Sequence, residues 1–175
     1  MKVTLEVGKL ATPIGEIVVA VRDEQVCALG FGAWSQRQLR FLAARFGDVA
    51  LAPAADPGGI VTILRRYFAG ELDVLGRVAV DLGGTEFQRL VWQRLRKIPA
   101  GSTLSYSALA RDIGQPLAVR AVGAANGANP VGLIVPCHRV VGADGRLTGY
   151  AGGLSRKRWL LAHEADACAL FRATS

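Results

Sequence analysis

The sequence is poor in the residues that build covalent or metal-linked frameworks. It holds three cysteines, Cys27, Cys137 and Cys168, widely spaced and with no CxxC pair. That spacing argues against a zinc ribbon and a disulfide scaffold and predicts a reducing, cytoplasmic setting. Only two histidines occur, His138 and His163. With Cys27 the sole Cys before Cys137 and no His before His138, the first part of the chain cannot assemble a Cys/His zinc site. No metal and no cofactor is expected. No apolar run approaches the roughly 20 residues that span a bilayer. The N-terminal residues Met1 to Glu6 carry an early acid and lack a long apolar core, so no signal peptide is predicted. Acidic residues are scarce as well, 14 Asp and Glu against 21 Lys and Arg.

What remains is a globular composition. Hydrophobic residues make up 51% of 175, enough for a sizeable core in one domain or two small ones. The positive charge is uneven. Residues 1–80 carry 9 Lys and Arg against 8 Asp and Glu, while residues 81–175 carry 12 against 6. A basic excess of this kind attracts polyanions, and it lies in the half that contains Cys137.

Residues 3–31 alternate as strands do, with turns at Pro13-Ile14-Gly15 and Arg22 to Gln25, and predict a small antiparallel meander. A helix over about 35–46 follows, then a loop from Ala50 to Gly59, then a helix from Ile60 to Phe68. Val78 to Gly84 is the expected domain boundary. The division predicted is 1–80 as an α/β scaffold, 81–165 as a mostly helical domain, and 166–175 as a ragged tail. Thr85 and Gln88 form a capping-box pattern for a helix whose apolar stripe is Phe87, Leu90, Val91, Leu95 and Ile98. Ser105 starts a short helix, Gly114-Gln115-Pro116 turns the chain, and a second helix runs over about 117–128. Short helix, turn and second helix make a helix-turn-helix arrangement. The second helix is unusually small-sided, with Ala121, Gly123, Ala124, Ala125 and Gly127. Two helical Gly cost about 1 kcal/mol each relative to Ala. Close approach by another backbone is one reason to keep them, and that backbone is either protein or DNA. Arg120 is the one long side chain projecting near that face.

The chemistry gathers at Val135-Pro136-Cys137-His138-Arg139-Val140-Val141. An apolar run enters and leaves this heptad, which reads as buried extended chain. A thiol stands next to an imidazole and one residue from a guanidinium. The thiolate is the nucleophilic form of Cys, and nearby cations lower its pKa. In extended chain, neighbours point to opposite faces, so a water between Cys137 and His138 is expected. After a turn at Gly142 to Gly145, the Gly-rich stretch Gly149-Tyr150-Ala151-Gly152-Gly153 suits a wall lying flat against a planar ring.

This heptad resembles the signature of the O6-alkylguanine-DNA alkyltransferases. So do Tyr67 to Gly70, Gly84 to Gln88, Ile98 to Gly101, Arg120 to Gly123, Asn129-Pro130 and Gly149 to Leu154, in the same order. The resemblance covers about residues 63 to 164. It implies a ribonuclease H-like first domain with a small antiparallel sheet plus helices, then a mostly α, winged-helix-like second domain. It implies a monomer that binds double-stranded DNA, flips O6-alkylguanine out of the stack, and moves the alkyl group irreversibly to Cys137. O4-alkylthymine is an expected second substrate. In the family, His138 takes the thiol proton through a water and Glu164 orients it. Tyr106 meets the base at N3. The carbonyls of Cys137 and Val140 accept from the 2-amino group, the Ala151 N–H donates to O6, Tyr150 lines the alkyl channel and Asn129 belongs to the substrate pocket. Arg120, Ala121, Gly123 and Ala124 face the minor groove, with Arg120 filling the space of the extruded nucleotide. Two other readings stand beside this one: a lesion binder without transfer, which the presence of Cys137 argues against, and a thiol hydrolase using Cys137, His138 and Glu164.

Overall fold

The computed structural model describes residues 2–175. The chain divides into two compact units. The first holds residues up to Gly83 together with Pro130–Gly132, and the second holds Gly84–Asn129 and Leu133–Ser175.

The first unit is built on a four-stranded sheet. Strands β1 (Val3–Thr12), β2 (Gly15–Arg22) and β3 (Gln25–Phe31) form the expected antiparallel meander. The tight β2–β3 turn places Asp23 and Glu24 at positive φ, as a two-residue hairpin loop requires. Helix α1 (Gln36–Phe46) starts at Ser35, whose hydroxyl accepts from the Gln38 amide while the Gln38 side chain returns to Ser35. The segment expected as a loop departs from expectation: its first half is strand β4 (Val49–Pro53), paired parallel to β1. The sheet is therefore mixed, in the order β3-β2-β1-β4, and not purely antiparallel. The run Val49-Ala50-Leu51-Ala52-Pro53 hides its strand character because Pro and small residues dilute the pattern. It reads as a strand only once an edge of β1 is available.

Strand alternation sends β1 to two faces. Leu5 and Val7 pack with Ala20, Cys27, Ala28 and Leu42 of α1. Gly8 points to the other face, where a Cβ would lie 2.8 Å from both Pro57 and Val61. That face is covered by a 3-10 turn at Pro57–Gly59 and by α2 (Ile60–Phe68). Asp56 carboxylate oxygens accept from the Val61 amide and the Thr62 hydroxyl and anchor this corner. The outer edge of β3 is covered too. The Val26 amide donates to Ala79 O and the Leu29 amide to Pro130 O, each at 2.9 Å. This caps an otherwise open edge.

The second unit is mostly helical. It contains α3 (Glu86–Leu95), α4 (Tyr106–Asp112), α5 (Val119–Gly127) and α6 (Leu154–Thr174). A two-stranded parallel ladder joins β5 (Leu104–Ser105) to β6 (Val140–Val141). Thr85 and Gln88 form the expected capping box. The stripe of α3 differs by one position: Trp92 is buried and Leu90 is exposed. Trp92 donates from Nε1 to the Ala125 carbonyl at 2.8 Å and ties α3 to α5. A Cβ at Gly84 would fall 2.5 Å from the Trp92 ring, so that glycine makes room for the indole. The expected ragged tail is instead the last turns of α6. Among the described residues, no helix is long and apolar enough to cross a membrane.

Candidate active site

Cys137 lies at the end of a tightly wound approach. Leu133, fully buried, has φ +72, a conformation that a bulky side chain rarely adopts. Two residues before Cys137, the Val135 carbonyl accepts from the Cys137 amide at 2.8 Å and from Asn129 Nδ2 at 2.8 Å. Cys137–Arg139 then forms a 3-10 turn, closed by the Arg139 amide on Pro136 O at 3.0 Å. The expected extended chain begins only at Val140. The strict alternation that would place Cys137 and His138 on opposite faces therefore does not hold. The cause is Pro136, whose ring fixes φ and whose ψ of 65 leads the chain into the turn.

The turn brings Cys137, His138 and Arg139 into the interior, against Glu164 of α6. Cys137 is 5% exposed, and His138 and Glu164 are fully buried. His138 Nε2 lies 2.8 Å from Glu164 Oε1. Arg139 closes a fork on the same carboxylate, Nε to Oε2 at 2.9 Å and Nη2 to Oε1 at 2.8 Å, and its Nη1 donates to Ile98 O at 2.6 Å. Burial alone would raise the Glu164 pKa. The hydrogen bonds from His138 and Arg139, together with the charge of Arg139, outweigh it and hold the carboxyl well below the usual range. Burial also lowers the pKa of His138, with Glu164 pulling the other way. The result is a neutral imidazole whose Nε2–H donates to an ionised carboxylate. That tautomer leaves Nδ1 as a lone-pair acceptor, and Nδ1 is a buried atom without a hydrogen-bond partner. An imidazole in this state takes a proton from a nearby acid.

Arg139, expected as a cation that activates the thiol, is committed to Glu164. A second buried cation is Lys157 on α6. It is fully buried and donates to the carbonyls of Val140 (2.6 Å), Thr148 (2.9 Å) and Gly149 (3.4 Å). Tyr106, at the start of α4, points its hydroxyl at the same Thr148 carbonyl, 3.4 Å away. Tyr150 is packed edge-on to His138, ring centroids 6.5 Å apart. Burial and then the charge on Cys137 push its hydroxyl pKa well up. Ala151 is exposed in the loop that follows. The turn at Gly142 to Gly145 is closed by the Gly142 amide on Arg146 O at 2.8 Å.

Helix α5 carries the remaining candidates. Arg120, Ala121 and Ala124 are exposed and Gly123 is half-buried, while Val122, Ala125 and Asn126 face inward. A Cβ on Gly123 would meet the Tyr106 ring at 3.9 Å, an ordinary contact. Asn126 escaped sequence reasoning. Its Nδ2 donates to Cys137 O at 3.4 Å, which links α5 to the nucleophile's own backbone. Its only sequence signal is a polar residue on the inward side of a small-sided helix. Asn129, expected in the substrate pocket, bonds backbone at Val135. Val140 O, expected to meet the base, already accepts from Lys157, though a carbonyl has a second lone pair. Among the described residues, no three His, Cys, Asp or Glu are grouped to hold a metal ion.

Comparison with known proteins places the chain in a family. The family model for the 6-O-methylguanine DNA methyltransferase DNA-binding domain matches residues 86–166. A curated methylated-DNA–protein-cysteine methyltransferase of Shigella flexneri is 46% identical over 160 residues, which is 89% of this chain and 93% of that protein. This chain belongs to the methylated-DNA–protein-cysteine methyltransferase family. A methyltransferase of that name from Salmonella typhimurium is 50% identical over 161 residues, again 89% and 93% of the two chains. Two solved methyltransferase structures from Mycobacterium tuberculosis superpose with a TM-score of 0.78. The O6-methylguanine methyltransferase is 40% identical, covering 95% of this chain and 99% of that one. The OGT in complex with DNA is 42% identical, covering 93% and 94%.

Proposed function

We propose that this protein repairs alkylated DNA by transferring the alkyl group from O6 of guanine to its own Cys137. The observation that carries the reading is the buried network at the nucleophile. Next to Cys137 stands a neutral His138, held through Nε2 by an ionised Glu164, with Nδ1 left as the base. The thiol proton passes to Nδ1, directly or through a water. Cys137 Sγ then bonds to the alkyl carbon as the C–O6 bond breaks, and the electron pair stays on the guanine. A proton at N3 neutralises the leaving base, with the Tyr106 hydroxyl as donor. Solvent returns that proton to Tyr106 and collects the one held by His138. The product is a neutral thioether, which water does not cleave, so each molecule acts once.

The target base must leave the duplex to reach a buried thiol. The same reading gives the carbonyls of Cys137 and Val140 to the 2-amino group, the Ala151 amide to O6 and Tyr150 to the alkyl channel. Asn129 supports the pocket from behind, through Val135. Arg120, Ala121, Gly123 and Ala124 face the minor groove; the support is that α5 turns only short side chains and one Arg outward. O4-alkylthymine is a second substrate in this reading. Residues 1–80 form a scaffold of ribonuclease H-like type. Residues 81–165 form the winged-helix-like domain that binds DNA and accepts the alkyl group, and the protein acts as a monomer. Double-stranded DNA as partner is supported by the relative solved in complex with DNA.

Incubation with a duplex containing O6-methylguanine tests the reading. The intact protein gains the mass of one methyl group, located on the Cys137 peptide, and repair stops at one equivalent. Turnover beyond one equivalent would favour a hydrolase and overturn the proposal.

A further inference from the structure

Asn126 is a polar side chain where the fold would accept an apolar one. It is 4% exposed on the inward face of α5, beside the buried Val122 and Ala125. Its backbone is held in place. The Trp92 indole donates to the neighbouring Ala125 carbonyl, and the Asn126 carbonyl accepts from the Asn129 amide at 3.4 Å. At one end of the side-chain amide, Nδ2 donates to the Cys137 carbonyl at 3.4 Å. The other end is different: Oδ1 is buried and, among the described residues, receives no hydrogen bond. Buried polar atoms are nearly always paired, so an orphan acceptor points to a donor from outside the chain. His138 Nδ1, also unpaired in the resting protein, receives the thiol proton in the proposed function. Asn126 Oδ1 has no donor assigned to it by that chemistry.

We propose that Asn126 is a specificity-determining residue that reads the 2-amino group of the flipped guanine: Nδ2 steadies the Cys137 carbonyl, and Oδ1 accepts the amino N–H that this carbonyl does not take. The inference rests on the proposed function and deepens it. That function gives the Cys137 carbonyl to the 2-amino group, and an amino group has two N–H donors. Asn126 already touches the same carbonyl, so a base seated there brings its second N–H to the same amide. Val140 O, the other acceptor assigned to the amino group, already holds the Lys157 ammonium at 2.6 Å. Oδ1 holds nothing. The helix fits the task as well. The 2-amino group is the one donor that guanine shows in the minor groove, and the outward face of α5 is the face assigned to that groove. Asn126 lies inward on the same helix, so one element carries both the approach to the DNA and the check on the base. Lesions without a 2-amino group, O6-methylhypoxanthine or O4-alkylthymine, leave Oδ1 unpaired. A site built to bond a donor disfavours the analogue that lacks it for this reason.

The test crosses a protein change with a substrate change. Second-order rate constants for methyl transfer are measured with two duplexes, one containing O6-methylguanine and one O6-methylhypoxanthine, which differ only in the 2-amino group. Asn126→Leu keeps a similar volume and removes both polar ends of the amide. The wild-type preference for guanine over hypoxanthine falls about tenfold in the variant, the size of one hydrogen bond between neutral groups. Equal losses on both duplexes overturn the proposal, because a side chain that only braces Cys137, or only holds a water, would behave that way. Absence of transfer by the wild type from either duplex would sink the repair reading and this inference with it, whereas transfer with an unchanged preference sinks the inference alone. A second measurement is independent of whether Asn126→Leu folds. The side-chain carbonyl carbon resonance of Asn126 is followed in Cys137→Ser, which cannot form the thioether, bound to each duplex. It moves downfield with the guanine duplex and not with the hypoxanthine one. The same resonance position in both complexes overturns the proposal.

Discussion

Replacing Arg139 by Met tests the buried network at its strongest link. The guanidinium makes three hydrogen bonds, two in a fork on Glu164 and one to Ile98 O. Without it, the Glu164 carboxylate keeps His138 Nε2 at 2.8 Å and a long contact from the Gly101 amide at 3.4 Å. The carboxylate stays fully buried. Removing one partner of a buried ion pair costs about 3–5 kcal/mol, because the other charge is left uncompensated. Replacing both charges leaves nothing uncompensated, so Arg139→Met with Glu164→Gln costs less than Arg139→Met alone. Coupling of about 0.5–3 kcal/mol is the size seen for contacting residues. Urea unfolding followed by tryptophan fluorescence measures this. Trp92 and Trp159 lie in the second unit and Trp34 in the first. A Trp34→Phe background therefore makes the signal report the second unit and avoids assuming that both units unfold together. At about 2–4 °C per kcal/mol, the single variant also melts some 6–20 °C lower. An Arg139→Met loss below about 1 kcal/mol would refute the reasoning, as would strict additivity with Glu164→Gln. Either result would mean that water reaches the carboxylate and that the network is not closed.

Arg120→Ala slows repair strongly in duplex DNA and less in single strands or opposite an abasic site. A guanidinium that fills the vacated stack matters most where stacking must be broken; equal losses on all three substrates identify a phosphate contact instead. The depressed pKa of buried His138 makes the unfolded chain bind a proton that the folded one refuses, so stability falls as pH drops below about 6.5. Glu164 acts in the same direction lower down, its contribution being lost as pH falls below about 4.5. His138→Gln flattens the first of these losses in urea midpoints measured at pH 7 and 5.5, and an unchanged slope rules out His138 as its source.

Much of the fold was legible because its signals are local. The Thr85 capping pattern, the period-2 runs of β1–β3 and the stop after Phe68 each depend on a few neighbouring residues. What escaped depends on partners far away in sequence. Strand β4 exists because β1 offers it an edge, and Ala50-Leu51-Ala52-Pro53 carries no alternation of its own to announce it. The 3-10 turn at Cys137–Arg139 was hidden in an apolar heptad that scans as extended chain. Its bend comes from Pro136 and the braces that Asn129 and the Cys137 amide place on Val135. The proposed nucleophile, its imidazole and the orienting acid were picked out from residue type and family resemblance. The state of each was not, because protonation follows from burial and partners.

Helix α6 shows why that information is out of reach of periodicity. Its inward stripe is Lys157, Leu160 and Glu164, with helical spacing but two charges among three residues. A search for an apolar face passes over it, and Arg156-Lys157-Arg158 scans as one solvated cationic turn. The structure separates them: Arg158 stays exposed, while Lys157 turns inward to three carbonyls. Apolar burial is non-directional and cannot select which charge goes inside. Hydrogen-bond geometry can, because a buried ammonium or carboxylate is tolerable only where its partners already stand. The acceptors for Lys157 lie in the Val140 and Thr148–Gly149 segments, and the donors for Glu164 lie in the His138–Arg139 turn. Docking of α6 is thus conditional on the nucleophile's loop having its native shape. The same contacts that hold the helix also fix the state of His138 next to Cys137, so in this unit the docking of α6 and the protonation of the proposed base belong to one network.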